Sequence, residues 1–166
     1  MNNTAEHGFN FLVEVEHPDG RVSQRETVHN LTPIEGRNHI ASVIYKQGTQ
    51  VPTWFIGLFE GNYTPQPDVK ASTIAAAAAE CIAYAAAQRV PFVPGAVVDG
   101  SVDNSASKAE FVMTASKTVY GGFIVSASPK GATTGVLISA MRFSSPKVLA
   151  TGDKLNVVAV NSLVSA

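Results

Sequence analysis

With 166 residues the chain is long enough to bury one core, and a single domain over 1–166 is the expectation. Twelve Lys and Arg against 13 Asp and Glu leave a net charge of −1, and the basic residues are scattered singly, which excludes the basic face that nucleic-acid binding requires. No apolar run approaches the ~20 residues of a membrane span, the amino terminus lacks the basic region and apolar core of a secretory signal, and the lone Cys81 excludes an internal disulfide and a multi-cysteine zinc site.

From Gly8, Phe9, Phe11, Val13 and Val15 alternate with Asn10, Leu12, Glu14 and Glu16, the period of a half-buried strand. His17-Pro18-Asp19-Gly20 turns it, because proline fixes φ and Asp-Gly tolerates positive φ, so Arg21 to His29 returns as a hairpin partner. Glu14 and Glu16 fall on the side opposite the phenylalanines and are expected to be solvated. Over Asn30–Gly48 the period changes to helical at Ile34, Ile40, Val43 and Ile44, with Thr32 as N-cap and Pro33 at the first position. Gly36 weakens the first turn by about 1 kcal/mol, so the regular part is expected from Arg37.

Thr53–Glu60 is a continuous apolar run interrupted by Gly57, the pattern of a strand covered on both faces. Trp54, Phe55, Ile56 and Leu58 are its expected core residues. The run breaks into a loop with Tyr63, Pro65 and Pro67, where two prolines stiffen a segment expected to project for contact. The alanine tract Ser72–Arg89 looks by propensity like one helix running to Arg89, with Ser72 or Thr73 able to cap it. Cys81 within it reads as a small buried apolar residue. Beyond Val90, short apolar or alternating runs separated by Gly, Ser, Asp, Asn and Pro follow one another to the end. The fold class is therefore mainly β: an antiparallel sandwich with one or two short inserted helices covering one side or end.

Catalytic chemistry finds little footing. His7, His17, His29 and His39 never stand four apart, the spacing that puts two ligands on one helix face; His17 and His29 could approach across the hairpin, giving two ligands at most. There is no Gly-x-Ser-x-Gly elbow and no phosphate-cradling glycine loop. Asp99, Asp103 and Asn104 lack the terminal acidic ligand of a calcium hand and read as a polar loop. No catalytic, metal or cofactor residues are assigned.

The segment Thr53-Trp54-Phe55-Ile56-Gly57-Leu58 with Thr64-Pro65, preceded by Asn30 to Gly36 and followed by Tyr120-Gly121-Gly122-Phe123 and Ala150-Thr151-Gly152-Asp153, resembles small virion structural proteins of tailed bacteriophages. The resemblance covers roughly 30–160, and it implies a second reading of the alanine tract, a helix over Thr73–Glu80 followed by extended chain from Cys81 to Arg89. It implies a compact, jelly-roll-like β-sandwich without catalysis, made in the host cytoplasm and carried in the virion, where it acts as a capsid decoration, cement, collar, neck or tail component. The partners implied are further copies of itself and other virion proteins. The hairpin 8–29 lies outside the match and is expected to be an assembly arm with Phe9 and Phe11 as contact residues, alongside Tyr63, Pro65 and Pro67. The alternative function is a receptor- or glycan-binding sandwich of a tail fibre, with Trp54, Tyr63 or Tyr120 stacking on sugar.

Overall fold

The computed structural model describes residues 7–163. Strands β1 (His7–Glu16), β2 (Val22–His29), β6 (Ser101–Asp103), β7 (Ala109–Val112) and β10 (Lys154–Leu163) form one antiparallel sheet, in the order β2-β1-β10 with β6 and β7 both along the far side of β10. Strands β3 (Trp54–Phe59), β4 (Glu80–Cys81), β5 (Val90–Phe92), β8 (Lys117–Val125) and β9 (Leu137–Leu149) form the second, with β4 and β5 along β3, then β8 and β9. The mainly β, two-sheet antiparallel architecture is the one the serial short runs predict. The pairing does not establish a jelly roll, since β1–β2 and β8–β9 each pair as hairpins within one sheet.

The first strand shows why the alternation matters. Phe11, Val13 and Val15 are fully buried and Phe9 nearly so, packed with Phe111, Leu155 and Val157 of the same sheet and with Ile56, Leu58, Ile124 and Met141 of the facing one. Because β1 is the second strand of its sheet and pairs along its whole length with β10, the hairpin belongs to the core. That corrects the expectation of a separate arm with Phe9 and Phe11 as contact residues: their partners are in the same chain. Glu14 and Glu16 are also not freely solvated. Glu14 is buried under Arg25 and Lys108, and Glu16 is half-buried against Lys154 and Asn156.

Side-chain amides complete the sheets where the backbone leaves gaps. Between β6 and β7 the ladder along β10 is interrupted, and buried Asn104 fills it: its Nδ2 donates to the Val157 carbonyl at 3.2 Å and its Oδ1 accepts the Ala159 N–H at 2.7 Å. At the seam between β2 and β9, Gln24 stands on a bulge with φ of 50° and its amide pairs with both the N–H and the carbonyl of Val148. Leu31 exchanges two backbone hydrogen bonds with Ala140 farther along β9, and buried Lys147 contacts Glu26 at 2.8 Å as a charge contact rather than an aligned hydrogen bond. Tyr84 bridges to Met113 at the other margin, so both sides of the sandwich are stitched and little strand edge is left for unintended pairing.

The second sheet is covered on its outer face too. Helix α2 (Ala71–Ala77) lays Ala71 and Ile74 on Phe59, Phe123, Val125 and Leu137. Two glycines make room for the aromatic rings: Gly57 lies opposite Phe123 and Gly121 opposite Phe59, and a Cβ on either glycine would overlap the phenylalanine ring that lies over it. The doubly covered strand inferred for Thr53–Glu60 is thus β3, with Ile56 to Phe59 buried. After α2 the chain turns extended at Glu80, and the single-helix reading of the alanine tract is overturned.

Helix α1 (Ile34–Tyr45) starts at Ile34 rather than Arg37, with Pro33 as N-cap; Thr32 supplies no cap. Gly36 does not weaken it so much as dock it, since a Cβ there would come within 2.9 Å of the Ile138 Cα and the Leu137 carbonyl on β9. Two effects oppose each other at this position. Helix propensity favours alanine by about 1 kcal/mol, whereas overpacking against backbone costs about 1–3 kcal/mol. Gly36→Ala is expected to lower stability in urea titration; a rise would show that α1 is free to move off β9.

Candidate interaction surface

The residues singled out in the sequence fall in three places. Ile56 and Leu58 are fully buried between the sheets, while Trp54 and Phe55 at the start of β3 are only half-buried. Tyr63, Pro65 and Pro67 lie in a loop that is tied down instead of projecting. The Tyr63 carbonyl accepts from Arg142 Nη1 at 2.9 Å, Arg142 Nη2 donates to Asn62 Oδ1, and the Pro67 carbonyl accepts the Ile34 N–H at 2.8 Å. The Tyr63 ring meets Phe59 edge-on at 6.2 Å. The prolines set the loop's path, but Arg142 and the amino end of α1 hold it to the surface. Phe9 and Phe11 lie in the core, as described above.

What the surface does offer is apolar. Half-buried Trp54 forms one wall of a groove of about 170 Å³ with Ile40, Val43 and Ile44 of α1, Val51 and Ile138. The Trp54 ring is met edge-on by His39 at 5.6 Å. Ile44 of the groove and its neighbour Tyr45 stand out from α1, 59% and 79% exposed. Phe92, register partner of Trp54, leads into the segment 93–100, which presents Val93, Val97 and Val98 to solvent next to Leu163. Asp99 is the only charged residue in that segment. This end of the sandwich is thus an uncovered apolar surface built by the ends of β3, β5 and β10 and by α1. The Asp99-Gly100 pair, flanked by valines, is a hairpin signal that could have marked its tip in the sequence.

Polar clusters were the least legible part, and they are buried. Arg89 is only 1% exposed; its Nε and Nη2 donate to the two Glu80 oxygens at 2.8 and 2.7 Å, Nη1 and Nη2 also donate to the carbonyls of Ala127 and Ala132, and the guanidinium lies 5.1 Å from the Phe123 ring centroid. Glu80 in turn accepts the Gly131 N–H. The pair therefore fastens the connection between β8 and β9 to the chain after α2. Cys81 is buried beside it, and burial pushes its thiol pKa up, away from nucleophilic use.

At the opposite end of the sandwich Ser23 Oγ lies 2.8 Å from His17 Nε2, and His17 Nδ1 lies 2.9 Å from Asp153 Oδ1. This has the connectivity of a hydrolase relay. Its setting is that of a clasp: Asp153 also accepts the Ala150 N–H, so the three residues join the β1–β2 turn to the β9–β10 turn. His29 pairs with Asn10 at the far end of the same hairpin, so His17 and His29 do not meet. Among the described residues no group of three or more His, Cys, Asp or Glu could hold a metal ion.

The buried carboxylates set an acid response. Hydrogen bonding to Arg25 holds Glu14 below its ordinary value of 4.5 against the opposing effect of burial, with Lys108 adding to the lowering. Burial pushes Asp153 up, but the Ala150 N–H and His17 outweigh it and leave it below 3.8. Folded-state values below the unfolded ones mean stability that is present above the unfolded pKa and lost as pH falls through the folded one. The urea midpoint is therefore expected to fall as pH drops below about 4, and Arg25→Gln should flatten part of that slope. A midpoint insensitive to pH in this range would contradict the pairing.

Comparison with protein-family models and with curated proteins finds no match to this chain.

Proposed function

We propose that this chain is a non-enzymatic structural component of a tailed-bacteriophage virion, self-associating and docking on the capsid, neck or tail as a decoration, cement or collar protein. The observation that carries the reading is the set of exposed apolar side chains at one end of the sandwich, Ile44 and Tyr45 on α1 and Val93, Val97, Val98 and Leu163 beyond β5 and on β10, together with the Trp54 groove. Exposed apolar surface beyond scattered single residues marks contact sites in soluble proteins. The low charge, the stitched sheet margins and the resemblance around Trp54 support the same role. Gold-labelled antibody against the chain, imaged on purified particles, tests it: label at a fixed place on the particle is expected, and label confined to infected-cell lysate would overturn it.

A second reading, glycan binding by a tail-fibre sandwich, has one observation in its favour. Tyr63, Gln66, Asp68, Val69, Lys70 and Thr73 line a shallow cleft of about 380 Å³ that sets an aromatic ring beside hydrogen-bonding groups. Against it, Tyr63 packs edge-on against Phe59 and Trp54 is a groove wall facing apolar side chains. A glycan-array signal lost in Tyr63→Ala would favour this second reading.

A further inference from the structure

The segment 93–100 is a built knob. Val98 and Ser101 exchange backbone hydrogen bonds at 2.9 and 2.8 Å around Asp99 and Gly100, whose φ values of 47° and 75° are those of a two-residue hairpin turn with both corners left-handed. The base is held by the Gly95 N–H donating to the Asp103 carbonyl at 2.7 Å and by the Leu163 N–H donating to Gly100 at 3.0 Å. The tip is therefore ordered before any contact, yet Val97 and Val98 are 73% and 63% exposed. Preorganised apolar side chains lose little entropy on docking.

The Trp54 groove is the matching half. Its lining carries no Asp, Glu, Lys or Arg, and its volume of about 170 Å³ is the scale of one or two small side chains, not of an extended ligand. Lys46 stands just beyond the end of α1, next to exposed Tyr45 and close in sequence to the groove residue Ile44. Lys46 and Asp99 are both exposed, and neither takes part in a salt bridge among the described residues. Knob and groove are thus mainly apolar surfaces, the groove edged by His39 and Gln50, with the unpaired Asp99 on the knob and the unpaired cations Arg37 and Lys46 on or just beyond α1.

We propose that the occupant of the groove is a second copy of this chain: Val97 and Val98 of one copy seat against Trp54, Ile44 and Val51 of the next, with Asp99 facing Lys46. The proposal deepens the self-association reading and rests on it. Since Trp54 and the strand leading to the knob are neighbours in one sheet, both halves lie toward the same end, and a two-fold pairing would use each contact twice.

The test uses full-length chains and needs no native thiol, because Cys81 is buried. A Val97→Cys chain mixed with an Ile44→Cys chain and mildly oxidised is expected to give a disulfide-linked dimer more abundant than either chain gives alone. Val97→Asp together with Val98→Asp should raise the self-association constant for dissociation at least about tenfold, since two valines leave an apolar site and two charges face Trp54. The substituted positions are exposed, and an unchanged circular dichroism spectrum would show that the fold survives. An oligomer that persists in the double Asp variant, with no crosslink in the mixture, would overturn this assignment and leave self-association standing on another surface. A wild-type chain monomeric at every concentration would overturn both.

Discussion

A chain lacking its first 29 residues is expected not to fold. β1 is an interior strand that pairs with β10 from His7 to Glu16, and its removal strips that partner of a ladder along its whole length. With it go Phe9, Phe11, Val13, Val15 and Val28 from the core. At about 1.5–3 kcal/mol for each buried side chain, their loss amounts to roughly 8–15 kcal/mol, as large as the entire stability of an ordinary domain at about 5–15 kcal/mol. Neither Gln24 nor Leu31 could then close the β9 side as it does now, since Gln24 is deleted and the chain leading to Leu31 loses its anchor. Dispersed amide signals in the NMR spectrum of the truncated chain would contradict this and would restore the hairpin as a detachable assembly arm.

The second large effect is expected at Arg89. Arg89→Ala leaves the Glu80 carboxylate buried without its partner, along with the carbonyls of Ala127 and Ala132 that the guanidinium serves. Breaking a buried pair from one side costs about 3–5 kcal/mol, because the remaining charge has lost its solvation and keeps only the Gly131 N–H as a partner. Removing both charges in Arg89→Met with Glu80→Leu should recover much of that loss, since a buried pair exchanged for packed apolar groups is often neutral. Amide exchange should rise first over residues 126–136, the connection that the pair holds. A single variant with unchanged denaturation midpoint would mean that water reaches Glu80 and that the pair is not the fastening described.

The same residue explains why the alanine tract resists reading from sequence. Alanine has the best intrinsic helix propensity, but each residue contributes only tenths of a kcal/mol. A helix continued from Glu80 to Arg89 would hold the two residues ~13 Å apart along its axis, which forbids the two-pronged contact. The ion pair, the Phe123 ring and the Ala127 carbonyl together outweigh propensity, and the chain leaves the helix at Ala77. Period-based inference succeeded where a single local signal dominates, as in the first hairpin, α1 and β3. It failed where the decisive partner is remote. Alternation identified the apolar face of β1 but could not say whether this chain or a neighbour covers it. Glu14 was placed on the outward side, yet Lys108, 94 residues away, helps bury it. Asn104 stands in a stretch expected to be a polar loop, whereas Ser101–Asp103 pairs with β10 as β6 and Asn104 is buried, and nothing local indicates that its amide substitutes for a missing rung beside β10.

Of the interaction surface, the sequence showed the ingredients more than the place. Tyr63, Pro65 and Pro67 drew attention because proline stiffens a loop, and Arg142 then pins that loop down from β9. Trp54 looks like core because its neighbours are apolar, and it does pack against the core, but it stands at the first position of β3, half-buried, as one wall of the groove beside α1. The valines of 93–100 are unremarkable as composition. Their meaning comes from the Asp99-Gly100 turn that holds them outward.

The most direct measurement is sedimentation of the purified chain over a range of concentrations in 0.1 M and 1 M sodium chloride, salt levels at which the Debye length falls from about 10 Å to about 3 Å. Association through Val97, Val98 and the Trp54 groove is apolar and carries one exposed charge pair per contact, so a discrete oligomer is expected at both salts, with little change in its dissociation constant. Dissociation to monomer at 1 M salt, or a monomer throughout, would contradict it.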